Sequence, residues 1–285
     1  MNVNYYNEFD KGAAAWLREL INAKLIPFGY VDERSITEVT ASDVQGFTQC
    51  HFFAGIGGWS LALQLAGVPA STRLWTGSPP CQPFSTAGKQ LGQFDERHLA
   101  PVFLNLVSKC KPPVLFGEQV AAAIGKSWMC DLQTHLEGED YAVGFTVLPA
   151  CSVGAPHKRD RLFFGATLGY CDNTVTQGFR GLKSVIHEKR WEDEKRHVIS
   201  PDVATHFWSE WKTDKGADGK TRIIPPDYGS SDNGISARVG RLRDEDLQSH
   251  PQKNRVMRLR GYGNAIVPQV AAEFVKAFME VKNAI

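Results

Sequence analysis

Residues 77–85 read GSPPCQPFS, from Gly77 through Cys81 to Ser85, and they follow the apolar run Leu74-Trp75-Thr76. Proline fixes φ and removes a backbone donor, so this stretch cannot lie inside a helix or a central strand. It reads as a strand that ends in a stiff loop, holding one thiol at the C-terminal edge of a sheet. That edge is where open α/β sheets bind ligands. A lone cysteine is most often a small buried hydrophobe. Cys81 differs, because rigid neighbours hold it in a loop where packing explains little.

Four further blocks lie outward from this loop. FFAGIGG (52–58) is upstream, GEQV (117–120) and GAPHKRDR (154–161) are downstream, and GNAIVPQV (263–270) is near the C-terminus. Any one alone is a weak signal. In this order and spacing they resemble the blocks of the DNA (cytosine-5)-methyltransferases, and they span most of the chain. The resemblance implies an α/β fold, with a Rossmann-like S-adenosylmethionine-dependent methyltransferase sheet and a small target-recognition domain. Residues 1–168 would form the catalytic and cofactor-binding domain and 169–250 the target-recognition domain. Residues 251–285 would return to the catalytic domain.

At 285 residues the chain is long enough for a full α/β core and one small extra domain. Net charge is +1, but it is unevenly spread, since residues 156–260 hold 20 Lys/Arg against 15 Asp/Glu. A basic surplus there suits a DNA-facing module, although an ordinary solvated surface would look the same. The cysteines at 50, 81, 110, 130, 151 and 171 form no CxxC pair and no metal-ligand spacing. No metal is expected, and a reducing compartment is. The first residues, MNVNYYNEFDKG, do not read as a signal peptide, and no apolar run approaches the ~18 residues of a membrane span. The expected setting is therefore the cytoplasm, on the nucleoid of a prokaryotic or phage-encoded system, with the protein a monomer and no membrane partner.

The N-terminal segment carries an unusual reading. Residues 3–6 look like a short strand ending in Asn7-Glu8-Phe9-Asp10, followed by an amphipathic helix over 13–23. A carboxylate at a strand tip can accept hydrogen bonds from both ribose hydroxyls of a nucleoside; a solvated Glu near a helix N-terminus is the plainer alternative. In the family that these motifs resemble, the glycine-rich strand comes first, the strand with the acidic tip second, and a strand ending in Asp-Ile third. Here residues 7–10 resemble the second element and RSITEV (34–39) the third, yet both precede the glycine-rich loop. Only about twenty residues separate that loop from Cys81, too few for two more strand–helix units. The predicted order along the chain is second, third, first, then nucleophile strand, with residues 36–49 crossing over one strand, which a dozen residues allow. An unrelated N-terminal extension is the bland alternative. Ser35 stands where the family has Asp for the adenine amino group, so that contact is absent or comes from a neighbour such as Asp32.

Residues 50–53 read as a strand entering the turn Ala54-Gly55-Ile56-Gly57-Gly58, which opens a helix over 59–66. Glycines there let a ligand approach the backbone at a helix N-terminus. The family has an acidic residue in place of His51. Beyond Cys81, residues 86–94 look like a mobile loop, and a helix runs from about 95 to 109. A strand over 112–116 delivers Glu118 to the sheet edge, where a carboxylate is costly to bury unless it serves a ligand. Gln119 replaces the family's Asn. A helix over 128–136 and strands over 141–149 and 162–166 follow. His157 replaces the family's Gln, and Arg159 and Arg161 match its alternating arginines. Residues 187–196 read as a solvated helix face, 213–220 as a turn-rich hairpin and 225–234 as loop. Residues 236–242 and 254–260 lead back to the catalytic domain, and the last helix covers 269–281 beside the glycine-rich loop.

The resemblance assigns roles. Cys81 adds to C6 of cytosine, Glu118 bonds N3 and the exocyclic amine, Arg159 contacts O2 and helps hold Glu118, and Arg161 supports them. Glu8 takes the ribose, and Phe9 and Phe53 sandwich the adenine region, with Ser35 and Ile36 nearby. Ala54, Gly55, Gly57, Gly58, Ser78, Pro80, Asn264 and Ala265 complete the cofactor site. The implied activity is methyl transfer to C5 of cytosine in double-stranded DNA, with the base flipped out of the helix, in the manner of restriction-modification enzymes. An RNA cytosine-5 methyltransferase and a catalytically inactive DNA-binding relative are the alternatives.

Overall fold

The computed structural model describes residues 3–80, 99–126, 128–155, 157–169, 212–215, 221–224 and 264–284. Its strands are β1 (Asn4–Asn7), β2 (Gly29–Asp32), β3 (Gln49–Phe52), β4 (Leu74–Gly77), β5 (Val114–Val120), β6 (Tyr141–Leu148) and β7 (Arg161–Leu168). They form one mixed sheet in the order β2-β1-β3-β4-β5-β7-β6. The first five run parallel to one another, and β7 is antiparallel to both β5 and β6. Every residue of β1, β3 and β4 is buried, as parallel strands covered on both faces must be. A separate antiparallel pair, β8 (Lys212–Lys215) and β9 (Thr221–Ile224), supplies the arms of the hairpin predicted around 213–220.

The helices are α1 (Lys11–Asn22), α2 (Gly58–Leu65), α3 (Ala100–Cys110), α4 (Trp128–Gly138) and α5 (Pro268–Ala284). Asp10 caps α1, its carboxylate accepting from the amides of Gly12 and Ala13, and Trp16, Leu17 and Leu20 form the buried stripe. Alternation along the strands divides the core. Tyr5, Cys50, Phe52, Trp75 and Leu115 face α3 and α4, together with Ile36, Val39 and Val44. Leu74, Val114 and Phe116 pack with α2 and α5, and Tyr6 packs with α1 on that same side, where its hydroxyl meets Ser60 of α2.

This arrangement bears out the rearranged order. β2 leads to β3 by crossing over β1, and β3 then neighbours β4, the strand before the cysteine loop. The rearrangement leaves a topological trace. The connections β3-α2-β4 and β4-α3-β5 step the same way across the sheet, but α2 and α3 lie on opposite faces, so the two crossovers have opposite hands. β1-α1-β2 steps the other way on the face of α2 and so shares the hand of β4-α3-β5. Since parallel crossovers are right-handed in ~98% of cases, β3-α2-β4 is the left-handed one. In the family's order α2 would lead toward β1 instead, and the exception would vanish.

Two boundaries differ from the sequence reading. The third element is the strand Gly29–Asp32, and RSITEV follows it as a 3-10 turn, Ile36–Glu38. Ser35 caps that turn by accepting from the amide of Thr37, a local bond that competes with extended pairing. The second is β5, which runs on through GEQV because β7 pairs with it from Val114 to Val120. Glu118 and Gln119 are thus inside the strand rather than beyond it. The predicted helix starts at Ala100 among the described residues and α5 extends to Ala284. Residues 86–94, 187–196, 225–234, 236–242 and 254–260 lie outside the described residues.

Candidate active site

The C-terminal edges of β1 and β3 meet where the chain reverses its direction of winding, since β1 leads outward to β2 while β3 leads the other way to β4. Ligands of open α/β sheets sit in such crevices. Here Glu8, at the tip of β1, accepts a 2.7 Å hydrogen bond from the amide of Gly55 through Oε2, and another at 2.8 Å from the amide of Asp10 through Oε1. The tip is tied to the same loop by the bond from the Ala54 amide to the Asn7 carbonyl. Gly55 has φ +57°, and a Cβ there would meet no heavy atom within 4 Å. Gly57, at φ +83°, caps the N-terminus of α2 without any side-chain bond to its amides. A carboxylate, open space over a glycine and a helix N-terminus thus share one crevice. Phe9 is 72% exposed beside it. These residues fit a nucleoside with a charged tail, as S-adenosylmethionine is.

At the neighbouring tip of β2, Ser35 is half-buried and Ile36 fully buried. Asp32 does not take over the adenine contact. Its carboxylate is 2% exposed and is occupied by the Tyr5 hydroxyl at 2.7 Å and by the Arg34 guanidinium in a two-oxygen grip. Burial pushes this carboxyl's pKa up, but the bonds from Arg34 and Tyr5 outweigh it and hold the pKa below the usual range. The side chain is structural.

The second half of the site gathers around the cysteine loop. Ser78, Pro79 and Pro80 continue β4 at the same sheet edge, while Cys81 itself lies outside the described residues. Ser78 Oγ accepts from the Trp59 indole at 2.9 Å, and the Pro79 carbonyl accepts from the Gln119 amide at 3.2 Å. Gln119 is fixed in turn by accepting from the Val120 amide. Glu118 is buried and forms a 2.7 Å ion pair with Arg161 Nε. Burial raises its pKa above the ordinary carboxylate value, with Arg161 and Arg159 pulling the other way.

Arg161, not Arg159, therefore makes the direct contact to Glu118. Arg159 donates through Nη2 to the Ala265 carbonyl at 2.7 Å, joining the GAPHKRDR turn to the start of α5. Ala265 is buried and Asn264 exposed beside it, and the adjoining Ile266 lies on Gly58, where a Cβ would come within 2.8 Å of its side chain. The C-terminal block thus packs by the glycine-rich loop, as the sequence reading placed it.

Among the described residues, five that are not glycine have positive φ. Lys24, Lys111 and Asp140 are at helix ends, where such geometry is routine. The other two, Phe53 (φ +53°) and Arg159 (φ +38°), are both residues that the sequence reading assigned to the site. Strained backbone of this kind concentrates at functional sites. Phe53 turns its ring edge-on to Phe103 at 6.2 Å, so it packs inward while Phe9 stands outward. Sequence reading missed the Trp59–Ser78 bond and the buried His51, whose Nδ1 meets Thr76 Oγ1 at 2.9 Å and whose ring stacks on Tyr6. A signal existed for His51, since a polar residue sat in an otherwise apolar strand. Trp59 carried none.

Among the described residues no group of three or more His, Cys, Asp or Glu is placed to hold a metal ion, and no helix is long and apolar enough to cross a membrane. A family model described as C-5 cytosine-specific DNA methylase matches residues 67–226, more than half of the chain. The match begins after the glycine-rich loop, where the family's order resumes. The Type II methyltransferase M.AplI of Arthrospira platensis is 35% identical over 89 residues, covering 30% of this chain and 26% of its own. M.MspI of a Moraxella species is 31% identical over 141 residues, 46% of this chain and 33% of its own. The chain thus spans well under half the length of these relatives. The solved structure of the S. pombe Dnmt2 methyltransferase aligns over 99% of both chains, at 14% identity and a TM-score of 0.49.

Proposed function

The chain belongs to the C-5 cytosine-specific DNA methylase family, and from that membership we propose that it transfers a methyl group from S-adenosylmethionine to carbon 5 of cytosine in duplex DNA. The observation that carries this reading is the 3.2 Å bond from Gln119 to Pro79, which fixes the strand bearing Glu118 against the loop that reaches Cys81 two residues later.

Carbon 5 of cytosine is a poor nucleophile. Cys81 adds its thiolate to C6, and the C5–C6 π electrons shift so that C5 becomes enamine-like. Glu118, whose burial favours the protonated form, donates toward N3 and so accommodates the negative charge that develops on the ring. Arg161 holds that carboxyl in register, and Arg159 at the Ala265 carbonyl sets the distance between the base side and the cofactor side. S-adenosylmethionine, when bound, supplies the methyl group as an electrophile. A base then removes the C5 proton, the electron pair re-forms the C5–C6 double bond, and the Cys81 thiolate leaves. Glu8 receives the ribose hydroxyls, Phe9 covers the adenine, and Ser35 and Ile36 border it. Phe53, Ala54, Gly55, Gly57, Gly58, Ser78, Pro80, Asn264 and Ala265 line the remainder. A stacked cytosine is out of reach, so the base is flipped into the site. Residues 169–250 form the module that reads base edges in the groove. The protein works as a monomer in the cytoplasm.

The test is transfer of labelled methyl from S-adenosylmethionine to mixed nucleic acid, followed by nuclease digestion. Label released by DNase, and absent with Cys81→Ala, supports the reading. Label released by RNase alone moves the substrate to RNA, and no label in any fraction overturns the activity.

A further inference from the structure

Trp59 belongs to the helix that follows the glycine-rich loop, yet its indole N–H reaches across to Ser78 Oγ at 2.9 Å, at the root of the cysteine loop. The ring has little freedom. It is 3% exposed, stacks on Phe116 with centroids 6.3 Å apart and 20° between planes, and meets Phe163 edge-on. An indole nitrogen only donates, so Ser78 Oγ must be the acceptor. One residue further, the oriented Gln119 amide takes the Pro79 carbonyl. Two rigid donors from different elements therefore catch consecutive residues of one chain segment. β4 ends at Gly77, so these contacts take over where the sheet's hydrogen bonds stop.

We propose that Trp59 is a positioning residue for the reaction: by pinning Ser78 it fixes the departure angle of the chain from β4 and so the reach of Cys81 toward C6 of the target base. The proposal rests on the methyltransferase reading above. It differs from a packing role in what depends on it, because the hydrogen bond governs the cysteine side while the ring governs the core.

The test uses the full chain and a duplex oligonucleotide in which every cytosine is 5-fluorocytosine. After methyl transfer the fluorine at C5 leaves no proton to remove, so the Cys81–C6 bond persists and the complex survives denaturing electrophoresis. Trp59→Phe keeps the aromatic ring and removes the donor, while Ser78→Ala removes the acceptor. Each should slow adduct formation roughly 3- to 10-fold, as the loss of one partly buried hydrogen bond implies. The double variant should be no slower than the slower single, because both remove the same bond. Affinity for S-adenosylhomocysteine, measured by calorimetry, should stay within about twofold of wild type in Trp59→Phe, which leaves every side chain assigned to the cofactor site in place. Single variants that trap as fast as wild type overturn the proposal, as does a double variant showing the product of the two losses. A fall in the cofactor affinity of Trp59→Phe that accounts for its slower rate also overturns it. If wild type traps nothing, the methyltransferase reading itself fails and this proposal with it.

Discussion

Glu8 and Gly55 are 47 residues apart in sequence and 2.7 Å apart in space, the carboxylate of one accepting from the amide of the other. The bond joins two elements that the family keeps in the opposite chain order. It exists because β1 inserts between β2 and β3, which brings an acidic strand tip beside a glycine-rich turn. The crevice proposed for the cofactor is therefore a property of the sheet's spatial order rather than of the order of synthesis.

Glu8→Ala removes the proposed ribose acceptor together with a tie to the glycine loop. Affinity for S-adenosylhomocysteine should fall roughly 10- to 100-fold, the loss of one or two charge-assisted bonds. Calorimetry checks this. A change below about twofold would mean that Glu8 is only a solvated carboxylate beside the cap of α1.

Restoring the family's order offers a second test. At the other edge of the sheet the starts of the strands lie together, with Thr48 donating to the Val3 carbonyl and accepting from Leu74. A chain in which residues 48–70 precede residues 3–47, with short glycine-serine joints, should fold to the same sheet and bind S-adenosylhomocysteine with affinity within about tenfold of wild type. Its β3-α2-β4 left-handed crossover would be gone. A rearranged chain that stays unfolded by circular dichroism would count against the equivalence of the elements.

Arg161→Met leaves Glu118 buried without its ion-pair partner. We expect a loss of roughly 2–4 kcal/mol in denaturant unfolding, somewhat below the full penalty for a broken buried pair because 22% of the Arg161 side chain is exposed. Adding Glu118→Gln should restore at least half of it, since a neutral amide costs less to bury. Equal losses in the single and double variants would show that the arginine acts by packing alone.

His51 gives a pH signature. It is buried, and desolvation pushes its pKa down to about 3 from an ordinary 6.5. Between those values the unfolded chain binds a proton that the folded chain refuses. Its contribution is thus intact above pH 6.5 and is lost as pH falls through that window, at about 1.4 kcal/mol per pH unit. Unfolding midpoints of wild type and His51→Gln between pH 7 and 5 should therefore converge or cross on acidification. Parallel curves would rule out the buried neutral imidazole.

Much of this was legible in the sequence, for physical reasons that differ by residue. The three prolines around Cys81, at 79, 80 and 83, argue against regular structure there, and strand β4 ends at Gly77 where the reading put it. The rearranged order followed from chain length, because twenty residues between loop and cysteine cannot hold two strand–helix units. The boundary at Ser35 was not legible, since a side-chain cap and an extended strand compete locally within the same few residues. Glu118's place inside β5 was hidden because the pairing partner, β7, is some forty residues downstream. The pairing of Glu118 with Arg161 goes together with a left-handed backbone at Arg159, whose guanidinium is turned to the Ala265 carbonyl, and no spacing rule reports that.

The central claim, that Cys81 serves cytosine C5 methylation of DNA, is tested most directly by base-resolution methylation sequencing of DNA from cells expressing the wild-type chain, with Cys81→Ala as control. The account predicts 5-methylcytosine concentrated in one short sequence context and absent from the control. Wild-type DNA without such marks, or marks that persist in Cys81→Ala, would contradict it.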